Sequence, residues 1–146
     1  MSIWTHVAGV IRVDGFGGGR TKEDFEPILG KEITFHSPYW MWDEVEAYPE
    51  NFVPFGSEGG LAYTVWQNPE KDHLAANTIS IFGDLRDYTK PEKIKEWFEN
   101  ILYNKGLCIR DAVISIDCGL YKEKMIVAYD PDRPRNRKNT EERKEN

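Results

Sequence analysis

Gly15-Phe16-Gly17-Gly18-Gly19-Arg20 is the first stretch of this chain whose residue types suit a ligand cradle. Glycines let successive backbone N–H groups converge on an anion, and Arg20 would supply the counter-charge. The spacing has neither the Gly-Lys-Ser/Thr end of a P-loop nor a G-x-G-x-x-G register. A second glycine loop, Phe55-Gly56-Ser57-Glu58-Gly59-Gly60, is bordered in sequence by Trp40, Trp42 and Phe52. Rings beside glycine suit a stacking pocket for a base or an anchor at an interface, and they equally suit the closing of a small core. These loops make Gly17, Gly18, Gly19, Arg20, Trp40, Trp42, Phe55, Gly56, Ser57, Glu58 and Gly59 the candidate residues for holding a ligand or partner.

Other reactive groups are scattered. Asp14, Asp84 and Asp87 stand near expected strand ends, where a divalent cation or an acid/base pair is often assembled. His6, His36 and His73 are few and far apart, so they build no metal site by themselves. Cys108 and Cys118 have nine residues between them, in no C-x-x-C and near no histidine at zinc spacing, which reads as two small buried hydrophobes. Ser57 in Phe-Gly-Ser-Glu-Gly is not a nucleophile elbow, because the first glycine of Gly-x-Ser-x-Gly is displaced. No catalytic residue, metal or cofactor is therefore expected.

Charge narrows the partner. The 146 residues carry 19 Lys+Arg against 25 Asp+Glu, a formal −6. Residues 130–146 hold six basic and five acidic side chains, which leaves −7 on residues 1–129. Such a body repels phosphate backbones, so nucleic acid is not the expected partner; only Arg133-Pro-Arg-Asn-Arg-Lys138 offers clustered cations. The same composition reads as a charged, fraying tail over residues 130–146 after a single domain over residues 1–129. No apolar run is long enough for a membrane span and the first residues lack a signal-peptide pattern, so a cytoplasmic protein is expected.

Periodicity gives the framework that carries these residues. Ile3–Val13 alternates as a long strand with Ile3, Thr5, Val7, Ile11 and Val13 on one face. Thr21-Lys22-Glu23-Asp24 has helix-start spacing, and Pro27 and Gly30 limit that helix to a turn or two. Lys31–His36 alternates like a short strand, whereas Tyr39-Trp40-Met41-Trp42 and the acidic run through Asp43, Glu44 and Glu46 read as irregular. Leu61–Gln67 and Thr78–Leu85 are expected to pair as antiparallel strands. The clearest element is a long helix over 89–104, where Thr89-Lys90-Pro91-Glu92 has capping-box spacing and Ile94, Trp97, Phe98, Ile101 and Leu102 form one apolar stripe. Strands at 109–118 and 124–129 complete the chain. This order is that of the α+β, ferredoxin-like split βαβ plait, an antiparallel sheet with an extra C-terminal hairpin strand. Such a sheet has one covered face. Trp4, Val10, Trp66 and Phe82 are candidates for the other, which a homo-oligomer would hide.

The segment Ile3-Trp4-Thr5-His6-Val7-Ala8-Gly9-Val10-Ile11-Arg12-Val13-Asp14, with Pro54-Phe55-Gly56-Ser57-Glu58-Gly59 and Phe82-Gly83-Asp84-Leu85-Arg86-Asp87, resembles small uncharacterised proteins encoded by bacteriophages. The resemblance brings no activity and no residue roles. It implies a context in which a small acidic protein binds a host protein, a nucleotide signal or its own kind. The leading expectation is a non-enzymatic module that binds and inhibits or sequesters a host protein, such as one of anti-phage defence, or a small nucleotide ligand. The alternatives are a small metal-dependent or acid/base enzyme on the same fold, using Asp14, Asp84 and Asp87 or His6, and a structural homo-oligomer subunit.

Overall fold

A computed structural model describes residues 2–15, 20–67 and 75–134. Its elements, in chain order, are strand β1 (Trp4–Gly15), helix α1 (Lys22–Leu29), helix α2 (Tyr39–Ala47), a single 3-10 turn (Pro49–Asn51), strands β2 (Phe55–Gly56), β3 (Gly59–Gly60), β4 (Ala62–Trp66) and β5 (Ala75–Arg86), helix α3 (Pro91–Asn104), and strands β6 (Ile109–Cys118) and β7 (Met125–Ala128). Five strands form one antiparallel sheet in the order β4-β5-β1-β6-β7, and β2 and β3 form a separate two-stranded ribbon. The chain is α+β.

β1 lies at the centre because its neighbours claim both of its edges. It pairs with β5 from Trp4↔Arg86 to Gly15↔Ala75 and with β6 from Thr5↔Cys118 to Val13↔Ile109, with a bulge between Arg12 and Val13. Side chains alternate along a strand, so a fixed register assigns each one a face. The odd residues Thr5, Val7, Ile11 and Val13 are buried, and Ile79, Ile81 and Leu85 of β5 and Ile114 and Ile116 of β6 bury beside them. Thr5 is tolerated there because its hydroxyl donates to the Tyr88 carbonyl at 2.7 Å.

α1 and α3 cover that face. Ile94, Phe98, Ile101 and Leu102 of α3 and Phe25 and Leu29 of α1 join the core; each side chain so buried contributes about 2 kcal/mol. The two helices are tied where the Trp97 indole donates to the Leu29 carbonyl at 2.9 Å. α1 starts on the expected capping box, with the Thr21 and Asp24 side chains exchanging bonds with each other's backbone N–H. α3 does not: it begins at Pro91 after Lys90, with no side-chain cap, so the box expected at Thr89 is not made. Proline in the first turn removes one of the donors that a cap would have satisfied.

Among the described residues, no helix covers the opposite face. Trp4, Trp66, Phe82, Val113 and Ile126 are exposed there, and register puts the half-buried Val10 on the same face. Lys31–His36 is not a strand; it makes only single bridges, Lys31↔Phe52 and Thr34↔Gly59. Residues 39–47, expected to be irregular, form α2. It packs Val45, with Met41 and Trp42, on Ile33 and Phe52 in a small second core. The first residues of the charged tail contact α3. The Tyr103 hydroxyl accepts from the Asp130 N–H at 2.9 Å, and Arg133 pairs with Glu99 and lies 4.3 Å from the Tyr103 ring centroid. Residues 135–146 lie outside the described residues. Among those described, no helix is long and apolar enough to cross a membrane.

This packing can be tested at two points. Asn77 is buried with its Nδ2 unpartnered, and an orphan donor costs about 1–3 kcal/mol. Asn77→Val should therefore raise the unfolding free energy by about 1 kcal/mol in urea titration. Burial, with Glu32 and Glu26 nearby, pushes the Tyr63 hydroxyl up to about 12, and burial with Glu92 and Glu96 does the same to Tyr88. The folded state then holds protons that the unfolded chain releases from about pH 10. Stability should be intact below about pH 10 and fall between about pH 10 and 12, and Tyr63→Phe should make that fall shallower in pH-dependent denaturation.

Candidate functional site

The second glycine loop is a docked ribbon and not a free grip. Gly56 lies so close to β5 that an added Cβ would stand 2.4 Å from the Arg86 carbonyl oxygen. That contact is possible only without a side chain. The Ser57 N–H donates to the same carbonyl at 3.0 Å, and the Ser57 hydroxyl donates to Asp87 Oδ2 at 3.0 Å. Asp87 has φ +56°, the left-handed region that a non-glycine residue occupies rarely, and its carboxylate is held by Ser57 there. Arg86 is engaged by Glu58 and donates from Nε to Ser2 Oγ at 2.9 Å. The Ser57 N–H and hydroxyl and the Glu58 carboxylate are thus partnered within the fold. These contacts place Gly56, Ser57, Glu58 and Gly59 on a ribbon against the end of β5, with Ser57 and Glu58 exposed.

The rings expected around that loop divide in two. Trp42 and Phe55 meet edge to face at 6.3 Å between centroids and pack on the small core. Trp40, two residues before Trp42 on α2, turns outward at 62% exposure. It is not alone. Tyr39 is 91% exposed, Phe35 68% and Tyr48 56%. Helical spacing explains the split: Met41, Trp42 and Val45 share one side of α2, which leaves Tyr39, Trp40, Asp43 and Glu46 on the other. The turn before it is fixed by Ser37, whose N–H donates to the Thr34 carbonyl and whose Oγ accepts from the Thr34 N–H, both at 2.9 Å. Phe35 and His36 sit on that turn with their rings edge to face at 5.5 Å.

The segment that carries these rings is acidic in sequence, with Glu32 and Glu58 paired to Lys22 and Arg86 from outside it. From residue 32 to residue 70 the chain has seven Asp and Glu and no Lys or Arg. Asp43, Glu46 and Glu50 are exposed, while Glu44 is taken by Lys31 at 3.1 Å. The sequence pattern marks Trp40 but not its companions Phe35, Tyr39 and Tyr48. The available signal is the Met41, Trp42, Val45 spacing, which identifies an amphipathic helix and therefore which rings it turns outward.

The remaining candidates do not converge. Asp14 pairs with Arg110 at 3.2 Å, Asp84 with His6 at 2.6 Å, and Asp87 with Ser57. Asp84 stands opposite His6 and Asp14 stands eight residues further along β1, about 27 Å away at strand rise. Three carboxylates so placed cannot share an ion or a proton. Among the described residues, no group of three or more His, Cys, Asp and Glu is placed to hold a metal. Cys118 is buried as expected, but Cys108 is exposed, one residue before β6. Arg20 is exposed, with its guanidinium 6.0 Å from the Phe25 ring centroid. Gly17, Gly18, Gly19 and His73 lie outside the described residues. A cavity of about 450 Å³ opens between the start of α3 and the β6–β7 turn, lined by Pro91, Ile116, Cys118, Tyr121 and Met125. No sequence motif points to it.

No family model, curated protein or solved structure matches this chain.

Gly56→Ala tests the docking of the ribbon. The substitution forces the β2–β3 ribbon off β5 and should cost about 1–3 kcal/mol, read as a lower midpoint in chemical denaturation with the slope unchanged.

Proposed function

We propose that this chain is a non-enzymatic binding module that takes a basic protein partner on the outer side of α2, through Phe35, Tyr39 and Trp40 framed by Asp43 and Glu46. One observation carries this reading: large rings held in water stand beside carboxylates, in a stretch that has no cation of its own from residue 32 to residue 70. An isolated exposed ring is ordinary. Several within one turn and one helix start form the kind of aromatic patch that anchors interfaces. A guanidinium or ammonium over such a ring gains about 0.5–2 kcal/mol, and the −7 of residues 1–129 steers cationic surfaces toward it. The likeness of three segments to phage-encoded proteins makes a host protein the partner class, with inhibition or sequestration as the outcome.

The scaffold reading belongs with this. The order β4-β5-β1-β6, antiparallel throughout and with helices between β1 and β4 and between β5 and β6, supports a ferredoxin-like split βαβ plait to which β7 adds an edge strand. On that reading the plait is a frame, and the inserted α2 segment between its first two main strands is where recognition is carried.

The test is a calorimetric titration of the chain with an arginine-rich peptide and with a glutamate-rich peptide of equal length. The arginine peptide should bind, and more weakly as salt rises. Trp40→Ala should weaken it by about 30-fold, the effect of losing a hot-spot ring worth about 2 kcal/mol, and Asp43→Lys with Glu46→Lys should abolish it. Equal binding of both peptides, or full binding by Trp40→Ala, would count against the reading. A nucleotide panel in the same instrument covers the sequestering alternative.

A further inference from the structure

The face of the sheet that no helix covers is built as a patterned surface. Because directly paired residues share a face, the register lays its side chains in rows across the strands. One row runs Ala62, Phe82, Ala8, Ser115, Ile126, and the next runs Thr64, Ser80, Val10, Val113, Ala128. These two rows hold no charge. Phe82 is 46% exposed, Val113 41% and Ile126 60%, although burial would favour all three. The charges stand only at the two ends. On one side of the neutral rows lie Trp66, Thr78, Arg12 and Asp111, with Arg12 facing Asp111 at 3.3 Å. On the other lie Asp84, His6 and Asp117, two carboxylates flanking the histidine of the central strand.

The geometry points to a second copy of this chain as the occupant of this face, joined about a two-fold axis that runs across the strands between the Ala8 and Val10 rows. Rotation about that axis turns the sheet over and reverses strand direction while keeping each strand above its own counterpart. The neutral rows then meet each other. Arg12 of one copy comes to rest over His6 of the other, between Asp84 and Asp117, and the symmetric contact repeats at the far end. Asp111 beside Arg12 falls over Asp117 in the same operation, so Arg12 stands among Asp111, Asp84 and Asp117 as the cation they share, and the two ends are equivalent, as a two-fold interface requires. Size agrees. Five strands at about 4.8 Å and nine residues from Trp4 to Arg12 span about 600 Å² in projection, comparable to the roughly 800 Å² of accessible surface per partner in a stable interface. Sheets packed face to face at about 10 Å leave room for an arginine to reach across. The α2 surface is not used in this contact, so the pairing stands or falls separately from the proposed partner site.

Sedimentation equilibrium of the full chain from micromolar to millimolar concentration tests it, with circular dichroism confirming the fold of every variant. The wild type should dimerise. Val10→Glu should make it monomeric, and Arg12→Glu should weaken the dimer at least about tenfold by setting four acids together at each end. Adding Asp84→Lys and Asp117→Lys to Arg12→Glu should restore the dimer, a rescue that a general loss of stability would not give. A wild type that stays monomeric across the range overturns the inference and assigns the face to a different occupant. A dimer that survives both Val10→Glu and Arg12→Glu overturns it as well, because association then uses another surface.

Discussion

Everything in this molecule depends on the double pairing of β1. Twelve residues of one strand are locked on one edge to β5 and on most of the other to β6, and a slip of one residue would exchange the buried and exposed sets on three strands together. With the register fixed, Val7, Ile11 and Val13 face α1 and α3, and Ala8, Val10 and Arg12 face outward. The helices then need only one apolar stripe each. α3 has that stripe, α1 contributes Phe25 and Leu29, and nothing among the described residues is left to cover the far side.

The same economy of core explains the aromatic edge. The α2 segment has its own small core of Ile33, Val45 and Phe52, partly closed by Met41, Trp42 and Phe55. Its helix buries only Val45 fully. A nine-residue helix on so small a platform has one inner side, and Tyr39 and Trp40 cannot share it with Met41 and Trp42. Their exposure is a consequence of helical geometry. The pinned ribbon beside them is the counterpart: Gly56, Ser57 and Glu58 have the composition of a mobile loop, yet contact with Arg86 and Asp87 fixes them.

Periodicity made most of the fold legible in the sequence. β1, β4, β5, β6, β7 and α3 come from alternation or from an i, i+3, i+4 stripe, and the outward set of Trp4, Val10, Trp66 and Phe82 comes from the same counting. α2 was not legible in this way, because tryptophan, tyrosine and acidic residues hide a helix whose stability comes from a tertiary contact rather than from propensity or a cap. Lys31–His36 alternates without becoming a strand because its partners, Phe52 and Gly59, each offer a single bridge. The docking of Gly56 is not legible for a related reason: glycine permits close approach as readily as it permits motion, and only the position of Arg86 shows the close approach.

Recognition, on this account, is carried by the outward side of α2 and the turn before it. Amide hydrogen exchange of the full chain, measured with and without an arginine-rich peptide, tests this most directly. Slowed exchange should concentrate in residues 34–48, with residues 55–60 unchanged because the ribbon is already docked on β5. Protection that falls instead on the glycine loop at 55–60, or that leaves 34–48 untouched while the peptide is bound, would contradict it.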